Sequence, residues 1–334
     1  MPEANILEVR DLRKHFPIRR SLGELLRGER RYVKAVDGVS FSLRRGEIFG
    51  LIGESGCGKT TTGKLIMKLL QPTAGTLTFM GANATRLSRA ALEKYRTCVQ
   101  MIFQDPYASM NPRFKIRDVL EEPLLIHHLG KDRAERDELI RQALTEVKLT
   151  PVEDFMGRFP HMLSGGQRQR AATARTLILS PALLVADEPV SMIDLSTRAE
   201  ILAMMKGVQK ELGLTFLYIT HDLSTARYFT DRIAVMYLGR IVEIGSPDDV
   251  VDHPVHPYTR ALISAVCEPV SGNVKVIKKL LIKGEIPSAA DIPPGCRFHP
   301  RCVFARPECS ALAEPELEEV RPRHFAACRR WKEL

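Results

Sequence analysis

One motif constrains this chain more than any other: the eight residues Gly53-Glu54-Ser55-Gly56-Cys57-Gly58-Lys59-Thr60, which fit the pattern G-x-x-x-x-G-K-[ST]. A short apolar run at residues 47–52 precedes it, and a helical pattern at residues 64–70, stopping near Pro72, follows it. Glycines in such a strand–loop–helix unit let backbone N–H groups converge on phosphate oxygens, and the helix N-terminus favours an anion. We call residues 53–60 the phosphate loop, and it predicts an α/β fold with a buried parallel strand.

Side chains of the phosphate loop add chemistry to its backbone. Lys59 can reach the terminal phosphates of a nucleotide, and the Thr60 hydroxyl can ligate Mg²⁺, with Thr61 beside it in the first helical turn. Cys57 stands at a variable position, where a small filler is a better interpretation than a redox-active thiol. A chance lysine in a glycine-rich turn would not explain the flanking strand and helix.

Two later strands end in residues suited to the same chemistry. Residues 182–186 are apolar and lead into Asp187 and Glu188, and the carboxyl ends of strands are where α/β folds place ligands. Asp187 can hold Mg²⁺ through water, and Glu188 is the candidate that polarises an attacking water. A second apolar run, residues 215–220, delivers His221, for which we predict a contact with the γ-phosphate.

A second glycine-containing helix start follows Leu163: the residues Ser164-Gly165-Gly166-Gln167. Ser164 can cap the helix that the pattern of residues 167–178 predicts, and the N–H groups at its start form an anion site. An ordinary capped helix is the simpler interpretation. Because the phosphate loop already provides one anion site, a second has a use only if it faces the nucleotide of another molecule. We call residues 164–167 the Ser164 helix start.

Composition and charge narrow the class of protein. The chain has 334 residues, 44% hydrophobic and 27% charged, which is ordinary for about two globular domains. No apolar run approaches the ~20 residues of a transmembrane helix, and residues 1–5 do not begin a signal peptide, so we expect a cytoplasmic location. The net charge of +9 invites a nucleic-acid interpretation, but the basic residues that cluster at 19–20 and 27–31 have no interleaved aromatic residues, which favours a solvated face.

Four of the seven cysteines lie in the last forty residues, separated by five, six and eighteen residues: Cys296, Cys302, Cys309 and Cys328. A disulfide is disfavoured in the cytosol, and structural zinc usually shows C-x₂₋₄-C spacing, although His299 and His324 could serve as zinc ligands. Four thiolates on irregular loops can also hold an iron–sulfur cluster. Spacing alone leaves a cluster, zinc and unliganded cysteines open.

The order of patterns along the chain predicts how the fold is divided. Residues 6–52 are rich in strand patterns, with a turn at residues 44–46, and residues 73–103 continue that core. Helical periodicity dominates residues 105–180, and alternating strands and helices return at residues 181–265. We therefore expect an α/β core interrupted by a helical subdomain.

Taken together, these motifs resemble those of ABC transporter ATPase subunits over roughly residues 6–265. The phosphate loop and the Ser164 helix start carry the resemblance with single positions in the family's order: Gln104, Asp187, Glu188, Asp194 and His221. Three stretches are similar to the oligopeptide/dipeptide importer branch: residues 35–41, 104–113 and 256–262. A basic insertion at about residues 17–33 makes the chain similar to the second of the two ATPase subunits in such importers.

The resemblance implies a fold and a division into domains. It implies a P-loop ABC ATPase core at residues 1–265, with the helical subdomain inserted at about residues 105–180. A small cysteine-containing extension then covers residues 266–334, which we call the C-terminal extension. The run from Cys296 through Cys302 to Cys309 resembles the tail that binds a [4Fe–4S] cluster in oligopeptide importer ATPases.

The resemblance also implies roles for single residues. Gln104 senses Mg²⁺ and the attacking water, Asp194 signals across a dimer, and Phe16, with Tyr32 as its rival, stacks on adenine. The family's usual Ala-Leu before that aspartate is Met192-Ile193 here, a change of similar bulk. The catalytic set is Glu188, His221, Lys59 and Gln104, and the Mg²⁺ ligands are Thr60, Gln104 and Asp187. The nucleotide contacts are Phe16, Gly53, Glu54, Ser55, Gly56, Cys57, Gly58, Lys59, Thr60, Thr61, Gln104, Asp187, Ser164, Gly165, Gly166, Gln167 and Asp194.

Partners follow from the resemblance as well. A head-to-tail dimer with a second, related ATPase subunit would place the Ser164 helix start on the partner's ATP. Two membrane-spanning permease subunits would dock near the Gln104 loop at the cytoplasmic face of the membrane, and an extracytoplasmic solute-binding protein would join through them. Peptides are the first expected cargo, oligosaccharides the second and nickel the third. The alternative is a soluble ABC ATPase of DNA repair or translation, but such proteins usually add a long coiled coil or a second fused ATPase unit.

Overall fold

The computed structural model describes residues 5–18, 30–105, 110–266 and 282–334. These residues fall into two packing units. The first draws on residues 1–6, 43–48 and 86–218, and the second on residues 7–42, 49–85 and 219–334. Most of the basic insertion (19–29), part of one importer-like stretch (106–109) and the start of the C-terminal extension (267–281, including Cys267) lie outside the described residues.

Strands and helices alternate along the chain. The strands are β1 (Asn5–Pro17), β2 (Tyr32–Arg44), β3 (Ile48–Ile52), β4 (Ala74–Phe79), β5 (Ala82–Asn83), β6 (Val99–Ile102), β7 (Leu183–Asp187), β8 (Thr215–Thr220), β9 (Arg232–Tyr237), β10 (Arg240–Gly245), β11 (Glu318–Arg321) and β12 (His324–Ala326). The helices are α1 (Lys59–Ile66), α2 (Arg89–Cys98), α3 (Ile116–Ile126), α4 (Arg133–Glu146), α5 (Val152–Met156), α6 (Gly165–Leu177), α7 (Leu195–Leu212), α8 (Leu223–Phe229), α9 (Pro247–Asp252), α10 (Pro257–Val266) and α11 (Pro307–Ala311), with a 3₁₀ turn at Pro160–Met162. Among the described residues, no helix combines the length and apolar composition that crossing a membrane requires.

Parallel strands form the sheet of the first unit. β6 and β7 pair in parallel, with Gln100 opposite Leu184 and Ile102 opposite Ala186. The part of β8 in this unit, residues 215–218, borders β7 on its other side. Every residue of β7 is buried, as expected for a parallel strand that is covered on both faces. The strand therefore delivers its acidic end from a rigid, buried element.

Helices α3 to α6 follow one another in the first unit, within the range 105–180 where the sequence shows helical periodicity. α4 lies where the pattern of residues 134–148 predicts a helix, and Asp132 caps it by accepting a hydrogen bond from the N–H of Glu135 at 2.9 Å. Arg117 of α3 donates to Asp137 of α4 at 2.7 Å. Charged contacts thus join two helices whose apolar faces are buried.

The second unit contains two groups of strands. One is an antiparallel sheet with the order β2-β1-β4-β5, and the other runs β11-β12-β10-β9-β3. β3 pairs in parallel with β9, with Phe49 opposite Arg232, and β12 pairs antiparallel to β10, with Glu243 opposite Ala326. The C-terminal extension therefore continues a sheet of the core. Its predicted boundary at residue 266 adjoins residues that are not described, and it stays a prediction.

The helix after the phosphate loop is shorter than its pattern predicts. α1 ends at Ile66, about one turn before the expected end near Pro72. Lys68 adopts a left-handed backbone with φ of 57°, and the N–H of Leu69 donates to the carbonyl of Lys64 at 2.9 Å. This closing turn satisfies a last helical carbonyl, so the apolar pair Leu69-Leu70 continues without extending the helix. The predicted end was wrong because side-chain periodicity does not register a backbone reversal.

Candidate nucleotide-binding site

The phosphate loop connects β3 to α1, and its backbone passes very close to neighbouring segments of the second unit. A Cβ atom at Gly53 would lie 2.2 Å from the carbonyl oxygen of Met236, and one at Gly58 would lie 2.2 Å from that of Ala35. Gly58 also has φ of +110°, which residues with a side chain rarely adopt. The chain's own backbone therefore requires both glycines.

Lys59 is buried and folded onto the phosphate loop. Its Nζ donates to the carbonyl oxygens of Gly53 at 2.7 Å and Glu54 at 3.0 Å. The residue before α1, Gly58, offers no side-chain cap to the helix. The loop thus combines a cation with backbone N–H groups at a helix start, an arrangement suited to binding phosphate.

The other side chains near the loop differ in exposure. Cys57 is buried, and burial raises the pKa of its thiol, in agreement with the predicted role of a neutral filler. Ser55 and Gly56 are exposed, whereas Thr60 and Thr61 are half-buried in the first turn of α1. Cys57 therefore contributes volume rather than chemistry.

In the first unit, the two predicted acids lie at the end of β7: Asp187 is the last residue of the strand and Glu188 is the next residue. Asp187 is buried at the end of the strand, and Glu188 has a left-handed backbone with φ of 48°. Oε2 of Glu188 accepts a hydrogen bond from Nε2 of Gln104 at 3.0 Å, and its carbonyl accepts one from the Ser191 hydroxyl at 3.0 Å. A non-glycine residue held in this conformation costs about 1–3 kcal/mol, and such residues cluster at functional sites. The structure thus brings together two predicted catalytic residues, Glu188 and Gln104.

The Ser164 helix start is a reciprocal cap. The Ser164 hydroxyl accepts a hydrogen bond from the N–H of Gln167 at 3.3 Å, and Oε1 of Gln167 accepts one from the N–H of Ser164 at 3.0 Å. A Cβ atom at Gly166 would lie 2.6 Å from the side chain of Thr197, but at Gly165 it would have no described atom within 4 Å. The predicted cap is confirmed, and Gly165 opens onto free space.

The remaining predicted residues lie at the ends or starts of elements. Asp194 is exposed directly before α7, and His221 is exposed directly after β8. The next residue, Asp222, caps α8 with its side chain. Phe16 is half-buried in β1, while its rival for adenine, Tyr32, is 36% exposed at the start of β2.

The predicted site residues divide between the two units. The first unit holds Gln104, Ser164, Gly165, Gly166, Gln167, Asp187, Glu188 and Asp194. The second unit holds Phe16, residues 53–61, His221 and the four C-terminal cysteines.

The four C-terminal cysteines line one cavity that opens to solvent; they are Cys296, Cys302, Cys309 and Cys328. All four are free thiols. Burial raises the pKa of Cys296 to about 12 and that of Cys328 to about 11. Within the described ranges, no three His, Cys, Asp or Glu side chains are arranged to hold a metal ion. The cysteines therefore converge, but not as the ligand shell of a single ion.

The motifs do not reveal two arginines of the C-terminal extension. Arg297 donates to Asp37 at 2.7 Å, and Arg301 donates to Glu54 of the phosphate loop at 2.8 Å. These partners are 260 and 247 positions apart, so no local spacing marks them. The Tyr258 hydroxyl accepts a hydrogen bond from the N–H of Glu54 at 2.9 Å. In the sequence, only its place in the importer-like stretch 256–262 pointed to this residue.

Two family models match the chain. Residues 36–191 match the model described as ABC transporter. Residues 242–309 match the model described as oligopeptide/dipeptide transporter, C-terminal region. The second match includes three of the four clustered cysteines: Cys296, Cys302 and Cys309.

Named relatives agree with these matches. The chain is 47% identical to the oligopeptide transport ATP-binding protein AppF of Bacillus subtilis (strain 168), over 98% of this chain and 97% of that protein. It is 42% identical to the dipeptide transport ATP-binding protein DppF of Escherichia coli (strain K12), over 94% and 91% respectively. A solved dimer of the ATP-binding cassette MJ0796, in a post-hydrolysis state with ADP and Pi, superposes with a TM-score of 0.61 at 27% identity, over 72% of this chain and 98% of that one. These similarities give no support to the DNA-repair or translation alternative.

Proposed function

The chain belongs to the ATP-binding proteins of ABC transporters, in their oligopeptide/dipeptide branch, and from this membership we propose that it couples ATP hydrolysis to the uptake of peptides. As an ABC ATPase it uses ATP with Mg²⁺. The observation that carries the peptide proposal is similarity to an oligopeptide transport protein over 98% of the chain. That similarity includes the C-terminal region, which lies outside the match to the general ABC model.

Uptake measurements test the cargo. Cells that lack this chain should lose uptake of a labelled dipeptide and a labelled pentapeptide, and the wild-type gene should restore it. A Glu188→Gln gene should not restore uptake, although its protein accumulates normally. Uptake of a labelled oligosaccharide and of Ni²⁺ is measured in the same cells, because these are the other two expected cargoes. Restoration of one of those two, without peptide uptake, would overturn the proposal.

We also propose how the residues divide the work on ATP. Backbone N–H groups of residues 53–61 bind the phosphates, Lys59 and His221 stabilise the charge that develops on the γ-phosphate, and Phe16 stacks on adenine. Glu188 orients the attacking water, supported by its hydrogen bond from Gln104 at 3.0 Å and its left-handed backbone. Thr60, Gln104 and Asp187 would hold Mg²⁺, which neutralises phosphate charge when bound.

Replacing the proposed base tests this division. Glu188→Gln keeps the shape of the side chain but removes its basicity, so ATP turnover should fall about 10²–10⁴-fold. Phosphate release by the assembled transporter measures turnover, and binding of a fluorescent ATP analogue should stay close to wild type. Glu138→Gln, at an exposed position of α4, is the matched control and should change neither quantity. Turnover close to wild type in Glu188→Gln would remove Glu188 from this role.

The partner ATPase is proposed from three features of the first unit. Gly165 opens onto space that no described residue fills, at the start of a capped helix with free anion-binding capacity. Next to Asp194, the apolar side chains of Met192 and Leu195 are 60% and 82% exposed, as at surfaces that a partner covers. We propose that a related, non-identical ATPase subunit covers this surface, head to tail. Mass measurement with and without ATP should give a mixed dimer when both subunits are present; a stable homodimer would contradict it.

Membrane partners are proposed from the family and from the surface of α3. Leu125 and Ile126, at the end of this helix, are exposed apolar residues, and Phe103 beside Gln104 is exposed as well. We propose that two permease subunits cover this region and hold the chain at the cytoplasmic face, where a solute-binding protein joins from the other side. Leu125→Glu should reduce co-purification with membranes, whereas Leu212→Glu, another exposed leucine of the same unit, should not.

A [4Fe–4S] cluster is proposed for the cysteine cavity. Support comes from four thiols that line one cavity without forming a single-ion site. In a cubane cluster each cysteine binds a different iron, so the sulfur atoms stand farther apart than around one zinc ion. The chemistry of the four thiols also fits a cluster. Burial keeps the thiols protonated, and iron displaces those protons when it binds. When bound, the cluster would cross-link segments of the extension that have little apolar core of their own.

Anaerobic purification tests the cluster. The protein should carry iron and sulfide and show a broad absorbance near ~400 nm, and Cys309→Ser should lose all three. Cys98→Ser is the matched control, since Cys98 belongs to the first unit and does not line the cavity. Stoichiometric zinc in place of iron, or protein free of both metals, would exclude the cluster.

A further inference from the structure

An ion pair joins the C-terminal extension to the phosphate loop. Nη1 of Arg301 donates to Oε2 of Glu54 at 2.8 Å, and Nη2 donates to Oε1 at 3.1 Å, so the guanidinium binds both carboxylate oxygens. The side chains are 7% and 23% exposed respectively. Burial is the largest single influence and lowers the pKa of Arg301, but the interactions of its guanidinium with Glu54 and Tyr237 together outweigh burial, and the pKa is raised. The pair is therefore charged and largely shielded from water.

Glu54 is held at all of its polar groups. Its N–H donates to the hydroxyl of Tyr258 at 2.9 Å, its carbonyl accepts from Nζ of Lys59 at 3.0 Å, and its carboxylate is bound by Arg301. The Arg301 guanidinium also lies 5.8 Å from the ring centroid of Tyr237. Glu54 is thus fixed by Lys59 of the loop itself and by Tyr258 and Arg301 of the C-terminal third of the chain.

A carboxylate in a phosphate-binding loop has an electrostatic cost. ATP brings several negative charges to the loop, and an unpaired Glu54 carboxylate would repel them. Pairing with Arg301 cancels that charge within the loop itself. Because Arg301 is buried, the pair is screened by solvent less than a surface ion pair would be.

A second contact links the extension to another part of the unit. Nη2 of Arg297 donates to Oδ2 of Asp37 at 2.7 Å, and Oδ1 of Asp37 lies 2.8 Å from Nε2 of His15. Burial raises the pKa of Asp37, but the hydrogen bonds from Arg297 and His15 outweigh this and lower it. Phe16, the candidate for stacking on adenine, directly follows His15. The extension therefore touches the segments proposed to bind both ends of the nucleotide.

We propose that Arg301 is a positioning residue for ATP binding: it neutralises and orients Glu54, so that this carboxylate does not repel the nucleotide phosphates from the loop. This rests on the proposed assignment of residues 53–60 to the ATP phosphates. It depends neither on the peptide cargo nor on the cluster. Arg301 does not touch ATP; it acts through Glu54.

A charge cycle separates this role from simple docking of the extension. The affinity of the full-length chain for a fluorescent ATP analogue is measured with thermal unfolding for wild type, Arg301→Gln, Glu54→Gln and the double variant. Arg301→Gln should weaken ATP binding about tenfold, because a bare carboxylate then faces the phosphates. Glu54→Gln removes the carboxylate and is the reference of the cycle. The double variant should bind ATP about as tightly as Glu54→Gln, so most of the affinity lost in Arg301→Gln should return even though both partners of the docking contact are gone.

Three further measurements make each outcome decisive. Raising the salt concentration should shrink the difference between Arg301→Gln and wild type, since repulsion is screened. Arg301→Lys keeps the positive charge and serves as a second variant if Arg301→Gln fails to fold. It should bind ATP much better than any folded single variant that is neutral at position 301. Lys59→Ala tests the site itself: unchanged binding there would defeat the proposed phosphate loop. Two outcomes would overturn only the role of Arg301. One is weak ATP binding by Lys59→Ala together with normal binding by Arg301→Gln. The other is a double variant that binds ATP as weakly as Arg301→Gln.

Discussion

The phosphate loop and the Ser164 helix start have the same kind of anion-binding backbone. They differ in how much of their surroundings this chain supplies. Both place glycine at the start of a helix and present N–H groups to an anion. In the loop, Gly58 is walled in by the carbonyl of Ala35, and Lys59 folds onto the loop's own carbonyls. At the Ser164 helix start the cap is closed by Ser164 and Gln167, while a Cβ atom added at Gly165 would have no described atom within 4 Å. Packing within the chain therefore accounts for Gly53 and Gly58, but no contact of the described residues requires a glycine at position 165.

Alanine at the two helix starts gives the largest contrast. Gly58→Ala combines a positive φ with a close carbonyl and should weaken ATP binding about 100-fold, the equivalent of ~3 kcal/mol. Gly165→Ala has neither problem, so it should bind ATP as wild type and unfold at the same or a slightly higher temperature. Nucleotide titration and thermal unfolding of the isolated chain measure both. Equal losses in the two variants would break the distinction between the sites.

A bulky cation at the Ser164 helix start probes the partner. Ser164→Arg should lower turnover of the assembled transporter about 100-fold, because the proposed contact with the partner's ATP is displaced. ATP affinity of the isolated variant should remain close to wild type, since the phosphate loop is intact. Phosphate release and nucleotide titration distinguish the two effects. If turnover of the complex is unaffected, the Ser164 helix start is an ordinary capped helix.

The smallest predicted effect tests whether Ser164 contributes to ATP turnover beyond its role as a helix cap. Ser164→Ala removes one cap hydrogen bond and should cost about 1 kcal/mol of stability. Ser88→Ala is the matched control, because the Ser88 hydroxyl accepts from the N–H of Ala91 at the same 3.3 Å. Both should lower the unfolding temperature by about 2–4 °C. Turnover should fall in Ser164→Ala alone; an equal fall in Ser88→Ala would assign it to lost stability.

Local motifs predicted much of the fold and of the candidate site. The cap at Ser164, the strand ending in Asp187 and the strand before His221 could be predicted because each depends on neighbours within a few residues. The end of α1 could not, since a left-handed Lys68 is not visible in side-chain periodicity. The left-handed backbone of Glu188 could not be predicted from the sequence for the same reason.

By itself the sequence determined the class of the protein, because phosphate-binding loops and helix caps are short-range chemistry written in consecutive residues. Only the tertiary structure decided that the C-terminal extension adds strands to a core sheet and that Arg301 binds Glu54 from 247 positions away. Such pairings depend on how strands assemble, and no spacing along the chain encodes them. The four cysteines stand between these cases: their types were visible in the sequence, but their meeting at one cavity was decided by the fold.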